Sequence, residues 1–508
     1  MTNNPNRPQE GRFDILLRKM AAPFYGVLVV LLFVAGIAFP GCNRGFGDDV
    51  KLEFSTDTLM FDTVFTTITS VTRNFTVKNP SKQPVKLRIC LAGAQQSYYS
   101  INVNGQSGVE FDDVEIPGHD SIFVFVKVNI NPTDQNTPYL VTDSVLFYNT
   151  NRRQAVQLVA FGQDAHFIVA DHGGSMPYKI VAHEHEVVHW TNDKPWVIYG
   201  WAAVDSLGKL IIDPGTRVYV HGGGIWVYRY GNLHVNGTVD QPVIIRGDHL
   251  ESFFDADYAQ WDRILINEGT EDNLIENAII SHAAIGLEMD VLEEFLGNKT
   301  IVNNTIIQNN KLYGVLGHAA NLEMNNCQVS NNGSYSIAMH VGNYKLNHVT
   351  VANYYTGARK TPAVLLSNYY DVTQINAAGE YETVYMIGDA NLECNNSIIY
   401  GNRSDGDEFA ISKAHGAEVD YTFHNCILQK ESLGNMFISC FNLPPKFVSN
   451  YGQDYNLEED SPAIDAGMTG LGITTDLLGR PRNGLPDIGA YEYYPATDTR
   501  RFLWFGKR

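Results

Sequence analysis

The chain has 508 residues, of which 44% are hydrophobic and 18% are charged, a composition that is typical of folded globular domains and excludes a disordered chain. Lys and Arg number 36 and Asp and Glu number 56, so the formal net charge at pH 7 is −20. Because nucleic-acid binding depends largely on Lys and Arg contacts to phosphates, this charge argues against a nucleic-acid partner and against broad contact with an anionic membrane surface.

The first 42 residues have the pattern of an export signal. A basic start over residues 1–19 precedes the uncharged apolar stretch 20–40, and Gly41 and Cys42 follow. This pattern is typical of a secretory signal, and the Gly-Cys pair resembles lipoprotein signals, which implies lipid attachment at Cys42. The apolar stretch is also long enough to span a bilayer, so an uncleaved N-terminal anchor is the alternative. Both readings predict a non-cytoplasmic, membrane-anchored protein of the cell envelope, at the outer membrane of a Gram-negative bacterium.

Residues 50–168 alternate between apolar and polar side chains with a period of two. Turn signals such as Asn104-Gly105 and Pro117-Gly118 interrupt the alternation about every ten residues, which predicts short antiparallel strands in a β-sandwich. The segments NFTVKNPSKQPVKLRI and DSVLFYN resemble the Ig-like domains that precede β-helices in bacterial surface proteins. That resemblance implies a spacer or an interaction module.

Residues 175–450 contain a short repeated pattern, in which an apolar lead-in is followed by a polar anchor residue and then by a strand. The anchors are Asn277, Asn304, Asn326, His348, Asn396 and Asn425. Two of the steps between anchors are 22 residues, and the longest, 48 residues, contains an insertion over residues 369–390. Such a period predicts a parallel coil in which each repeat stacks on the next and the anchors align in a column.

Two resemblances support this interpretation. The segments LIIDPGTRV and GNLHVNGT resemble the first turns of right-handed parallel β-helix proteins of the pectin lyase-like fold. In residues 451–495, the segments SPAIDAG, DLLGRPR and DIGAYE resemble the C-terminal module called choice-of-anchor Q, which implies a cap that closes the end of the β-helix. Residues 496–508 form a basic and aromatic tail. The predicted fold class is therefore all-β, with an Ig-like β-sandwich, a right-handed parallel β-helix and a cap.

One segment matches the HExxH motif of zinc metalloproteases through His185, Glu186 and His189. The motif needs a helix, on which the two histidines share one face. Val187 and Val188 favour a strand instead, in which residues four apart lie about 13 Å from each other. We therefore interpret the match as false and predict no metal site there.

The repeat alignment suggests a second set of polar residues. Positions three residues after Leu287, Val315, Ile337 and Val364 hold Asp290, His318, His340 and Ser367. In a parallel coil these side chains would stack on successive repeats about 4.8 Å apart and face outward. Asp290, His318 and His340 are the candidate catalytic residues, since an Asp beside a His can transfer protons.

The sequence favours a binding protein over an enzyme, because it contains no complete acid–base or metal set. We expect an envelope-tethered lipoprotein that binds a glycan or a surface protein and needs no cofactor. The alternative is a polysaccharide lyase or glycoside hydrolase that acts from the outer face of the coil. Besides Cys42, five cysteines remain, and we expect them to be free thiols that pack as small apolar side chains.

Overall fold

The computed structural model describes residues 45–47, 49–66, 70, 72–132, 139–250, 258–291, 298–375, 380–404 and 406–495. This part of the chain is all-β, with 39 strands and one short 3-10 helix, Ala94–Gln96. No helix within it is long and apolar enough to cross a membrane. The chain divides into two compact units. The first contains Met1–Met60, Ser70–Val128 and Val141–Val159, and the second contains Phe61–Thr69, Asn129–Leu140 and Ala160–Arg508.

The first ten strands form two five-stranded sheets. They are β1 (Glu53–Phe54), β2 (Thr58–Phe65), β3 (Arg73–Lys78), β4 (Val85–Leu91), β5 (Tyr99–Val103), β6 (Gln106–Gly108), β7 (Glu110–Ile116), β8 (Ser121–Val128), β9 (Tyr139–Tyr148) and β10 (Arg153–Gln163). The sheet orders are β1-β3-β8-β5-β6 and β2-β10-β9-β4-β7, and the β3–β8 and β4–β9 pairs are antiparallel. Phe54 and Phe75 of one sheet pack on Phe147 of the other, with ring centroids 5.0 and 6.1 Å apart.

A single 25-stranded sheet follows. Its first strands are β11 (His166–Val169), β12 (Tyr178–Ala182), β13 (Val187–Trp190), β14 (Trp196–Val204), β15 (Lys209–Ile212), β16 (Arg217–Val227), β17 (Asn232–Asn236), β18 (Val243–Gly247), β19 (Trp261–Ile266), β20 (Asn273–Glu276), β21 (Ala278–Ser281), β22 (Ala283–Asp290), β23 (Thr300–Asn303), β24 (Ile306–Gln308), β25 (Tyr313–Asn325), β26 (Gln328–Ser330), β27 (Ile337–Asn347), β28 (Thr350–Asn353) and β29 (Val364–Ser367).

The hairpin β30 (Tyr369–Ile375) and β31 (Tyr381–Ile387) lies outside this sheet. The sheet continues with β32 (Ala390–Asn395), β33 (Ile398–Gly401), β34 (Phe409–Ser412), β35 (Val419–His424), β36 (Ile427–Leu428) and β37 (Phe437–Ile438). Two further strands, β38 (Phe447–Ser449) and β39 (Asp454–Leu457), form a separate antiparallel pair.

The large sheet is parallel, and each strand pairs with the equivalent strand of the next repeat. Three series of strands result, which we call series A (from β13 to β37 through β23 and β32), series B (from β12 to β34 through β22 and β29) and series C (from β11 to β36 through β18 and β28). Asn303, Asn325, Asn347 and Asn395 align in series A. The steps between them are 22, 22 and 48 residues, and the longest step contains the β30–β31 hairpin.

The six predicted anchors lie at the corner between series A and series C, and all have a left-handed backbone, with φ between 46° and 59°. Asn tolerates this conformation better than most residues, which explains the repeat. The anchor column is confirmed in part: Asn326 donates to Asn304 Oδ1 over 2.7 Å, and Asn396 lies 3.0 Å from His348 Nε2. Asn277 instead donates to the Gly237 carbonyl.

One apolar core contains side chains from all three series. Buried residues such as Leu233, Ile245 and Leu287 belong to a single cluster that extends from Ile168 to Leu428. Cys327, Cys394 and Cys426 are fully buried free thiols, as predicted, whereas Cys90 and Cys440 are only half-buried.

The start of the large sheet and the register of one strand differ from the prediction. His166–Val169 pairs in parallel with Trp196–Tyr199, so the large sheet begins before residue 175 and includes residues that we had assigned to the sandwich of residues 50–168. Apolar–polar alternation is the same in parallel and antiparallel strands and does not mark the change. The repeat alignment also predicts that Ala410-Ile411 follows Ala363-Val364 in this series, with Val364 beside Ile411, but Val364 pairs with Phe409, two residues earlier.

The C-terminal module of residues 451–495 contacts the side of the repeats, whereas the sequence predicts a cap at their end. Arg482 donates to Asn326, Asn396 donates to the Met468 carbonyl, and Asn425 donates to the Ala466 carbonyl. The module thus covers the anchor corner of successive repeats. The corner asparagines provide the hydrogen-bonding groups that it uses, a role that the sequence motifs alone do not reveal.

Candidate functional site

The predicted outer row is assembled by the register of series B. Asp290 pairs with His318, His318 with His340, and His340 with Ser367 on successive strands. His318 Nδ1 lies 3.7 Å from Asp290 Oδ1, and the rings of the two histidines are 5.4 Å apart. The structure therefore brings the three candidate residues together, with an Asp–His distance that is long for a hydrogen bond.

The base of the β30–β31 hairpin covers this row. Tyr370 stacks on His318, with centroids 4.5 Å apart and planes 7° apart. His340 Nδ1 lies 3.0 Å from the Tyr369 carbonyl oxygen. Burial lowers the pKa of His340, so its imidazole is neutral at neutral pH. Both histidines thus pack against the hairpin rather than projecting freely from the sheet.

The corner after this row is strained. His318 and His340 directly precede Ala319 and Val341, which have φ values of 50° and 54°. A left-handed backbone is a true outlier for a β-branched residue such as Val341. The strain occurs where the chain turns from series B to series A, beside the root of the hairpin.

The HExxH residues occupy a turn and a strand. His185 has a φ of 62°, and Val187–Trp190 is a strand. Glu186 accepts a hydrogen bond from the His183 backbone over 2.9 Å, and His189 Nδ1 lies 3.1 Å from Asp213 Oδ1. The two histidines therefore do not share a helix face. Cys42, the predicted lipid attachment residue, lies outside the described residues.

A more extensive polar surface, which the sequence analysis missed, lies on the outer side of series A. One row contains Lys299, Asn321, Asn343, Asn391 and Asp420, and the adjacent row contains Glu323, Lys345, Glu393 and Thr422. We call these two rows the polar face. They line an open groove of about 350 Å³. Asn321, Asn343 and Asn391 repeat with the same 22- and 48-residue steps as the anchors, a signal that was available in the sequence.

The polar face is held in place by contacts between repeats. Lys299 Nζ lies 2.9 Å from Glu323 Oε2, and Asn391 donates to Asn343 Oδ1 over 3.0 Å. Beside the second row, Asn325, Asn347 and Asn395 each donate to the asparagine of the preceding repeat over 2.8–3.0 Å. Asn325 and Asn395 also donate to Glu323 and Glu393, so this column of amides holds two carboxylates of the polar face in place.

The pKa values of the two glutamates on the polar face, Glu323 and Glu393, are lowered. Burial alone would raise the pKa of Glu323, but hydrogen bonds from Lys299 and Asn325 outweigh it and lower that pKa. The hydrogen bond from Asn395 and the charge of Lys345 likewise lower the pKa of Glu393. The groove thus presents fixed negative, positive and amide groups side by side, which suits a ligand with many hydroxyl groups.

Comparison with known proteins adds little to this picture. No protein-family model matches the chain, and no curated protein sequence matches it significantly. Among solved structures, PapD-like domain 7 of human CEP192 is 12% identical and matches 24% of this chain and 90% of its own, with a TM-score of 0.16. A family 123 glycoside hydrolase from Clostridium perfringens is 6% identical and matches 23% of this chain and 30% of its own, with a TM-score of 0.18. Similarity at this level identifies neither a family nor an activity.

Proposed function

We propose that the chain is an envelope-tethered lipoprotein that binds a polysaccharide along the polar face of a right-handed parallel β-helix. In this proposal, Cys42 carries the lipid, residues 50–163 form an Ig-like spacer, and residues 451–495 are a choice-of-anchor Q module. The three parallel series around one core support the β-helix assignment.

The observation that carries the binding function is the groove on series A. Its amide side chains recur on successive strands as Asn321, Asn343 and Asn391 beside charged side chains of alternating sign, and adjacent parallel strands are about 4.8 Å apart. A polysaccharide also presents hydrogen-bonding groups at regular intervals, so one chain lying along the groove would meet an equivalent amide on successive repeats. Charged hydrogen bonds are worth about 1.5–3 kcal/mol each, and a few of them are enough for specific binding.

Retention on an array of neutral and acidic polysaccharides tests this proposal. We expect the full-length protein in detergent to bind at least one of them. The double variant Asn343→Ala/Lys345→Ala removes groups from both rows of the polar face, and we expect it to bind at least about tenfold more weakly.

The matched control is Lys209→Ala. Lys209 forms an ion pair with Glu271, and its strand β15 belongs to series A but lies outside the groove. Equal binding by the wild-type protein and the double variant, or an equal loss in the control, would refute the polar face as the binding site.

A polysaccharide lyase or glycoside hydrolase is the second candidate, and the 3.7 Å contact of His318 with Asp290 is the observation that favours it. Tyr370 stacked on His318 weighs against it, because the ring limits access to the imidazole. New unsaturated or reducing ends that disappear in His318→Ala would establish the enzyme. Retention of polysaccharide without cleavage would exclude the enzyme and support binding as the function.

A further inference from the structure

We infer that His221, Asp248 and His249 form a binding site for a divalent transition-metal ion at the corner between series C and series B. The potential ligand atoms of these three residues all lie within 4.8 Å of one another. Among the residues that the structure describes, this is the one group of three or more His, Cys, Asp or Glu side chains that is so compact. The site is separate from the polar face and from the row of Asp290.

The parallel register explains how the cluster forms. Val220 pairs with Gly247 on the neighbouring strand, and the Asp248 backbone N–H donates to the Val220 carbonyl. His221 and Asp248 therefore follow equivalent positions on adjacent repeats. The next residue of the first repeat, Gly222, pairs with Trp261, because β16 continues directly whereas β18 ends at Gly247. His249 therefore belongs to the residues inserted between β18 and β19, and this insertion supplies the third side chain.

The geometry of the first pair suits a shared ion. His221 Nδ1 lies 3.0 Å from Asp248 Oδ2, and two ligand atoms that are each about 2.1 Å from one metal ion are about 3.0–3.4 Å apart. The backbone at His249 is also held in place, because the Arg246 guanidinium donates a hydrogen bond to the His249 carbonyl oxygen over 3.3 Å. Tyr199 of the preceding repeat packs on His221, with ring centroids 4.9 Å apart.

A second, independent observation points to a ligand. Asp248 Oδ1 is buried and has no hydrogen-bond partner among the residues that the structure describes, and the Asp248 side chain is only 11% exposed. A buried carboxylate oxygen without a partner is costly, since it loses its water without compensation. A cation bound beside it would supply the missing interaction.

The donor set defines the class of ion. Two imidazoles and one carboxylate bind Zn²⁺ and, less tightly, Co²⁺ and then Fe²⁺, whereas Ca²⁺ and Mg²⁺ prefer oxygen ligands alone. The ion would link two consecutive repeats and stabilise the corner at which they meet.

Titration of the metal-free full-length protein with Co²⁺ alone tests the site. We expect about one ion to bind, with visible d–d absorption that indicates nitrogen and oxygen ligands, and we expect Zn²⁺ to displace it. Asp248→Asn keeps the size of the side chain, and His221→Gln replaces a side chain that is half-exposed, so both variants are expected to fold. Each is expected to weaken Co²⁺ binding by at least about a hundredfold.

His189→Gln is the matched control. His189 Nδ1 lies 3.1 Å from Asp213 Oδ1, much as His221 lies beside Asp248. Among the described residues, however, no third His, Cys, Asp or Glu completes a compact group with this pair. We expect this variant to bind Co²⁺ like the wild-type protein. Absence of Co²⁺ binding to the wild-type protein, unchanged binding by His221→Gln and Asp248→Asn, or an equal loss in His189→Gln would each overturn the inference. Far-UV circular dichroism establishes that each variant is folded.

Discussion

Acid is expected to destabilise the protein through His348, the only histidine among the six anchors. Its side chain is 1% exposed and lies between the corner column and the C-terminal module. Asn396 fixes its protonation state: the Asn396 oxygen accepts from the Met468 N–H, so its nitrogen is the atom that faces His348 Nε2. Nε2 must therefore accept a hydrogen bond, and Nδ1 donates to the Gly489 carbonyl.

Burial, together with the nearby charge of Arg482, lowers the pKa of His348 from 6.5 to about 3. Because the folded-state pKa is the lower one, the unfolded chain takes up the proton first. The free energy of unfolding then falls as the pH drops below about 6.5 and continues to fall until about pH 3. At pH 5 the loss from this one side chain is about 2 kcal/mol, since each pH unit contributes about 1.4 kcal/mol.

The variant His348→Asn restores the residue found at the other five anchors and removes the titrating group. Urea unfolding of both proteins at about pH 7.5 and pH 5 measures the effect. We expect the wild-type protein to lose about 2 kcal/mol more than the variant on acidification. The buried Asp487 carboxyl, with a pKa raised to about 6 by burial, titrates in the same range but is present in both proteins. An identical loss in the two proteins would refute the reasoning.

Three further predictions concern the core, the C-terminal module and the tether. Phe423→Ala should lower the free energy of unfolding by about 3–5 kcal/mol in urea, because Phe423 is fully buried between Phe409 and Phe437; a loss below about 1 kcal/mol would contradict this packing. Arg482→Met should cost a similar amount, since it leaves the Glu492 carboxylate buried without its partner, and adding Glu492→Gln should recover part of the loss; no recovery would show that the ion pair is not the cause. Cys42→Ser should abolish palmitate labelling, and labelling that persists would refute lipid attachment at this residue.

Much of the fold could be predicted because each repeat places the same residue type at the same strained position. The left-handed corner favours Asn, and the 22-residue step between Asn304 and Asn326 is visible without a structure. Asp290, His318 and His340 could be aligned for the same reason. What the sequence did not reveal is how hairpin β30–β31 folds back, because the stacking of Tyr370 on His318 depends on the path of an insertion rather than on the repeat.

The two other surfaces were missed for different reasons. The polar face follows the repeat, but in the sequence its charged and amide residues look like those of an ordinary solvated surface. Only the structure shows that they line a groove. His221, Asp248 and His249 come from a pair of repeats 27 residues apart with no recurring motif, so only the strand register brings them together.

The C-terminal module joins residues that are very distant along the chain, as the 156-residue separation of Arg482 from Asn326 illustrates. Repeats that contact only their neighbours can assemble as they are synthesised. Here, however, the asparagine corner stays uncovered until residues 451–495 have been made. A chain that emerges N-terminus first therefore passes through a stage in which its repeats are wound but one side is open, and premature termination would leave that side permanently accessible to proteases.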